Sequence, residues 1–120
     1  MRKKVVSIAV DTTINDGQLE NFKKVASAMT ALCESEPGTL GYEWFLSADA
    51  KHCRLHETYV DGDAVLAHFA GPVITELVPK LAAFCKTDRL EIYGDPGPKV
   101  AEIASKIGAQ IFAYWTGLSR

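Results

Sequence analysis

Glu57, Tyr59 and, on the segment that follows, His68 are the side chains best suited to chemistry in this sequence of 120 residues. A carboxyl group and an imidazole that meet in an apolar setting can pass a proton near neutrality. Histidine titrates there unperturbed, and burial lifts a carboxylate towards it when no cation is close. Tyr42 and Trp44 have the same two-residue spacing as Glu57 and Tyr59. All four side chains share one face of a strand pair if the hairpin register sets even positions opposite odd ones. Such a site is apolar with a few polar groups, the usual make-up of a small-molecule pocket. Each residue also has a plainer role open to it. Glu57 and His68 can serve as partners in a buried structural network, since a half-buried carboxylate needs hydrogen bonds whether or not it reacts. Tyr42, Trp44 and Tyr59 can be core rings. His52, Cys53 and His56 cluster, but a tetrahedral metal site would need further ligands at a spacing the chain lacks, so no metal site is expected.

The segments that must position these groups read as follows. Lys4 to Val10 is β-branched and closed by Asp11, a first strand followed by the polar stretch Thr12 to Gly17. Leu19, Phe22, Val25, Ala26, Met29, Leu32 and Cys33 recur at helical spacing, with Asn15 or Asp16 as cap and Pro37-Gly38 as the stop. Thr39–Ser47 and Cys53–Val60 form a hairpin across the turn 48–52. Asp61 caps a short helix to Phe69, broken by Gly71-Pro72, and a second stripe runs from Val73 to Cys85 with Pro79 tolerated in a first turn or as a kink. Lys86–Tyr93 is a strand, Pro98 opens a helix that Gly108 ends, and Ala109–Trp115 is a last strand. This order contains the split β-α-β pattern of ferredoxin-like domains. The expected fold class is α+β: an antiparallel sheet with helices on one face, a core over about residues 4–93 and an extra C-terminal helix and strand over 96–120. Phe45, Phe112 and Tyr114 point away from the helix-covered side. That leaves an apolar second face whose simplest cover is another copy of the chain, a homodimer.

Length and composition bound the rest. One hundred and twenty residues make a single domain, and 48% hydrophobic with 23% charged residues is globular. A formal charge of −2 provides no positive field for a phosphate backbone, so nucleic acid is not an expected partner. The longest apolar run, Val5–Val10, is far below the ~20 residues a membrane span needs. Arg2, Lys3 and Lys4 imitate the start of a signal peptide, but the run after them is too short. Three widely spaced cysteines, Cys33, Cys53 and Cys85, read as reduced thiols and a cytoplasmic setting.

From about Val5 to Tyr93 the chain resembles the antibiotic biosynthesis monooxygenase family, which includes quinol monooxygenases. The likeness rests on Glu36-Pro37-Gly38 with Tyr42 beyond it, Glu57-Thr58-Tyr59, Asp61, and Ala67-His68-Phe69. The family pattern has a glutamate followed two residues on by an aromatic, often tryptophan, which here is Tyr59. The resemblance implies a dimeric α+β barrel and a pocket between sheet and helices. It also implies oxidation of phenols or quinols by dioxygen with no flavin, haem or metal. His68 and Glu57 would then be catalytic, and Tyr42, Trp44 and Tyr59 would bind the substrate ring. A dihydroxy-aromatic molecule, once deprotonated, can reduce dioxygen itself, so the protein need only hold it, take a proton and exclude water.

Two other functions compete. One is a non-catalytic dimeric module that binds a small apolar molecule. The other is haem degradation through a helical histidine, which the segment Val73–Lys86, holding no histidine, disfavours.

Overall fold

Val6, Ile8, Thr12 and Ile14 are buried while their neighbours reach outwards, so β1 (Val6–Ile14) has the period of a strand covered on one side. In this computed structural model, which describes residues 4–120, β1 continues four residues beyond Val10. The polar stretch expected from Thr12 holds because the Thr12 hydroxyl donates to the Cys53 carbonyl at 3.2 Å and so turns inwards satisfied. Arg2 and Lys3 lie outside the described residues.

The helix α1 (Leu19–Cys33) buries Phe22, Ala26, Met29 and Cys33 on one stripe. Neither Asn15 nor Asp16 caps it. Gln18 holds that position without a side-chain cap bond, its Oε1 accepting instead from Asn21 Nδ2 at 2.9 Å and its own N–H tied to the Asn15 carbonyl at 3.0 Å. Strands β2 (Thr39–Leu46) and β3 (His52–Tyr59) then pair antiparallel. Tyr42 lies opposite Glu57 and Trp44 opposite Leu55, which is the even-with-odd register. The pairing slips between Thr39 and Gly41, so Leu40 has no direct partner and stands exposed.

Asp61 caps α2 (Gly62–Ala70) by accepting the Ala64 N–H at 2.9 Å. Past Gly71-Pro72 the chain makes one π-helical turn, Val73–Leu77, and continues as α3 (Val78–Leu81). Pro79 explains the wide turn. It falls in the first turn of α3 and has no N–H to give, and the Val78 N–H reaches back five residues to the Val73 carbonyl. The helix ends at Leu81, beyond which the Ala83 and Phe84 N–H groups turn back to the Lys80 and Leu81 carbonyls, and β4 (Cys85–Tyr93) starts on a residue read from sequence as helical. Helix α4 (Pro98–Ile107) opens on its proline and closes on left-handed Gly108, φ 75°.

The sheet order is β2-β3-β1-β4-β5, with β5 at Gln110–Phe112. Four strands are antiparallel, as a ferredoxin-like α+β fold requires, but β5 runs parallel to β4, so the sheet is mixed and the wholly antiparallel expectation is corrected. The cause is α4, a crossover helix that returns the chain to the start of the neighbouring strand. The last strand is also shorter than the expected 109–115. Tyr93, the end of β4, already pairs with Phe112, and no neighbour remains beyond it.

All helices lie on the face that carries Ile8, Leu55, Tyr59 and Ile92. α1 and α3 pack with Tyr42, Cys53 and Leu55; α2 and α4 pack with Val6, Ile8, Tyr59 and Ile92. The open face is more polar than expected. Phe45 and Tyr93 stand on it towards its two ends, but Arg54 pairs with Asp11 at 3.0 Å across its centre, and His56 sits beside Phe45. Among the described residues no single helix is long and apolar enough to cross a membrane. The stretch Gly62–Ala70 with Val73–Leu81 passes only as a pair bent by 46°, and its Val65, Val73 and Leu81 are buried in the protein.

Candidate functional site

Alternation along β3 sends Cys53, Leu55, Glu57 and Tyr59 inwards, and the hairpin register adds Tyr42 and Trp44 to the same face. Helix α2 follows β3 after a two-residue turn and lays His68 across them. Its ring centre is 5.6 Å from that of Tyr42 and 5.3 Å from that of Tyr59. Gly38 permits this approach. A Cβ there would stand 2.5 Å from the Ala64 Cβ, so only a glycine lets α2 settle on the turn that ends α1. The other end of α2 is as tight, since a Cβ on Gly62 would meet the Pro96 carbonyl oxygen at 2.4 Å.

Four of the five residues proposed from sequence are buried: Tyr42, Glu57, Tyr59 and His68, with 8%, 6%, 0% and 1% exposure. The Tyr59 hydroxyl donates to Glu57 Oε1 at 2.5 Å. His68 Nδ1 is 2.8 Å from Glu36 Oε1, which also accepts from Thr39 Oγ1 at 2.7 Å. His68 Nε2 is wholly buried without a hydrogen-bond partner, and the nearest carboxylate oxygen across from it, Glu57 Oε1, is 3.8 Å away.

The electrostatics follow from this closure. Burial pushes the Glu57 carboxyl up to about 7. The Tyr59 hydrogen bond opposes that rise and the Glu36 charge adds to it. Burial first, then Glu57, also lifts the Tyr42 and Tyr59 phenols above their ordinary value, so both stay protonated donors. A carboxyl group poised near neutrality between two phenols and an imidazole can give or accept a proton at ordinary pH.

Trp44 occupies a different part of the site. Its indole N–H donates to Thr30 Oγ1 at 2.9 Å, and its ring meets Tyr42 edge-on at 5.7 Å and Phe22 at 5.8 Å. On its outer side lies a groove of about 410 Å³ between α1 and β2, lined by Phe22, Ala26, Thr30, Leu46 and Cys53, with Lys23 at its rim. Tyr42, Glu57, Tyr59 and His68 do not line it. They are closed off from solvent, and Trp44 both lines the groove and meets Tyr42 edge-on, so it stands between that cluster and the groove.

Sequence reasoning gave no role to two further residues here. The sequence offers Glu36 only as part of the Glu-Pro-Gly motif, and Cys33 only as a reduced thiol on the apolar stripe of α1. Cys33, Glu36 and His68 are also the one group of three donors, among the described residues, whose ligand atoms lie within 4.8 Å of one another. Glu36 and His68 are already bonded to each other. The Cys33 thiol is pushed up to about 12 by burial, with Glu36 and Glu57 adding to it, so an ion would have to break that bond and strip a reluctant proton. His56 faces the open side of the sheet against Phe45, and His52 opens β3 with Nδ1 3.3 Å from the Thr13 hydroxyl.

A family model described as antibiotic biosynthesis monooxygenase matches residues 6–80. No curated protein matches the sequence. The crystal structure of MupZ from Pseudomonas fluorescens is similar over 98% of this chain and 95% of its own, with a TM-score of 0.84 and 22% identity. SnoaB from Streptomyces nogalater, a cofactor-independent oxygenase, is similar over 79% and 96%, with a TM-score of 0.68 and 17% identity. A conserved protein from Methanosarcina mazei matches over 76% and 92%, at 0.70 and 14%. Identities this low speak to fold alone. At 98% coverage the likeness to MupZ takes in the C-terminal helix and strand, whereas overlays of 76–79% match the length of the core.

Proposed function

This chain belongs to the antibiotic biosynthesis monooxygenase family, and from that membership we propose that it is a cofactor-independent monooxygenase that oxidises a small aromatic phenol or quinol with dioxygen. The observation that carries this reading is the buried Glu57 carboxyl, held near neutrality between Tyr59 and His68. Taking the proton of a phenol there leaves an electron-rich ring in a water-poor setting, where its charge is poorly screened. The ring then reduces dioxygen. A quinol and dioxygen give a hydroxyquinone and water, with one oxygen atom entering the ring, the other leaving as water, and all the electrons drawn from the substrate. His68 and Glu57 handle the proton. Trp44, Tyr42 and Tyr59 pack the ring, which enters from the groove beside Trp44 once that side chain swings aside.

The closure of Tyr42, Glu57 and His68 from solvent favours a second reading. In that reading the polar cluster is structural, and the groove beside Trp44 binds a small apolar molecule without reaction. An oxygen electrode separates the two. The monooxygenase consumes dioxygen when given a hydroquinone or an anthrone-like ring, with one equivalent of quinone product for each dioxygen. Quenching of tryptophan fluorescence by the same compounds, with no oxygen uptake, would leave only the binding module.

The reading includes a homodimer formed on the open sheet face, supported by Phe45, Tyr93 and Phe112, each 39–49% exposed, and by Tyr93 and Phe112 stacking at 5.3 Å. Light scattering at micromolar concentration should return twice the chain mass of 13.1 kDa, and Phe45→Glu should return the chain mass itself. A wild-type monomer would remove this part of the proposal. Free thiols at Cys33, Cys53 and Cys85 support a cytoplasmic setting.

A further inference from the structure

We propose that Glu36 is a positioning residue, which holds His68 as the tautomer protonated on Nδ1 and so presents a bare Nε2 beside Glu57 as the acceptor of the substrate's proton. The inference rests on the monooxygenase reading for its chemistry, but its geometry stands alone. Thr39 Oγ1 and His68 Nδ1 both meet the same oxygen of Glu36, at 2.7 and 2.8 Å. A carboxylate oxygen has no proton to give, so the hydrogen in the second bond belongs to the ring. A neutral imidazole has only one such hydrogen, and Nε2 is therefore a lone pair. That lone pair is the one buried side-chain polar atom without a hydrogen bond among the described residues. Leaving such an atom unpaired is costly, and a site that retains it is poised for a partner it does not yet have.

The titratable groups that face His68 come from every element around it: Glu36 and Cys33 from the end of α1, Tyr42 from β2, Glu57 and Tyr59 from β3. Cys33 and the two phenols stay protonated at neutral pH. When a phenolic substrate arrives, its O–H bond breaks and an Nε2–H bond forms. The imidazolium so made keeps its Nδ1–H bond to Glu36, and that carboxylate balances its charge. Turning the ring over would put Cδ2 against Glu36 and Cε1 towards Glu57, leaving no base there, so Glu36 acts through orientation and touches no substrate. Its place just before Pro37-Gly38 ties that orientation to the turn on which α2 rests.

The test is long-range proton–nitrogen NMR on the full chain labelled at its histidine nitrogens, with the His68→Gln spectrum identifying which signals belong to His68. The wild type should show the Nδ1–H tautomer. Glu36→Gln keeps an acceptor oxygen and should keep that tautomer, whereas Glu36→Ala should release the ring to the Nε2–H form. In the oxygen-uptake assay Glu36→Ala should lower kcat by about 10- to 100-fold, by analogy with the loss when a carboxylate orienting a metal-bound histidine is removed, with KM within two-fold and with Glu36→Gln restoring most of the rate. A wild-type ring protonated on Nε2, or a tautomer indifferent to Glu36→Ala, overturns the proposal, and the wild-type spectrum decides even if Glu36→Ala fails to fold. The correct tautomer in a protein that consumes no oxygen would instead sink the monooxygenase reading and leave the role of Glu36 standing.

Discussion

His68→Ala should cut substrate-dependent oxygen uptake by about 10²–10⁴-fold, the range that a positioned general base contributes. The loss should fall on kcat. Trp44, Tyr42 and Tyr59, the side chains that pack the ring in this reading, are untouched, so ground-state binding of the ring changes little. The substitution also empties an imidazole-sized space in a buried site and strips Glu36 Oε1 of one of its two donors, which lowers stability. A thermal melt must therefore show the variant folded at the assay temperature. Adding free imidazole gives a second readout, because the base can return to the hole its side chain left and restore part of the rate. A fully active His68→Ala would transfer the proton chemistry to Glu57 alone. An inactive variant that imidazole does not rescue would point to a structural role.

How far the sequence reveals this site depends on which interactions are local. Strand alternation is local, so the shared face of Tyr42, Trp44, Glu57 and Tyr59 was legible once the hairpin was found, and the register bears it out. The cap at Asp61 and the helix bounded by Pro98 and Gly108 were legible for the same reason. Glu36 was not. Its contact with His68 spans 32 residues and exists only because α2 rests on Gly38, a packing event that no spacing rule encodes. The available signal was the Glu-Pro-Gly turn itself, where a glycine without a Cβ marks close approach. The end of β5 was set from outside in the same way. Its aromatic alternation runs on through Tyr114, but β4 has finished. The reach of β1 past Val10 was hidden because Asp11, Thr12 and Thr13 look like a loop until β3 and β4 bind both of their edges. Finally, alternation says which residues share a face but not whether they enclose a hollow. Side-chain packing decides that, and here it closes Tyr42, Glu57, Tyr59 and His68 off from solvent and leaves the groove beside Trp44 open.

Glu57→Gln should make the protein more stable above neutral pH, by up to about 3 kcal/mol, while reducing its activity. Burial raises the folded-state pKa of Glu57 to about 7, well above the ordinary carboxylate value of 4.5. The folded protein therefore holds this proton more tightly than the unfolded chain does, and stability falls as pH rises from about 4.5 through 7. Each unit of separation is worth ~1.4 kcal/mol, so the whole gap corresponds to roughly 3 kcal/mol lost by the wild type at pH 8. Glutamine has nearly the same shape and an oxygen that still accepts from the Tyr59 hydroxyl, but it cannot ionise. Below pH 4.5 the two proteins should melt within a few degrees of each other. At pH 8 the variant should melt roughly 10 °C higher, on the usual few degrees per kcal/mol for a domain of this size. Its oxygen uptake should fall, since the group that changes protonation near neutrality is gone. A melting difference that does not vary with pH would mean that Glu57 titrates in the folded protein as it does in the unfolded chain, with a cation or water reaching it. A gain in stability with full activity would mean that the strained carboxyl is retained for something other than proton transfer. The expected pattern, stability gained where the wild type must ionise and turnover lost with it, is what a buried group kept for its chemistry produces.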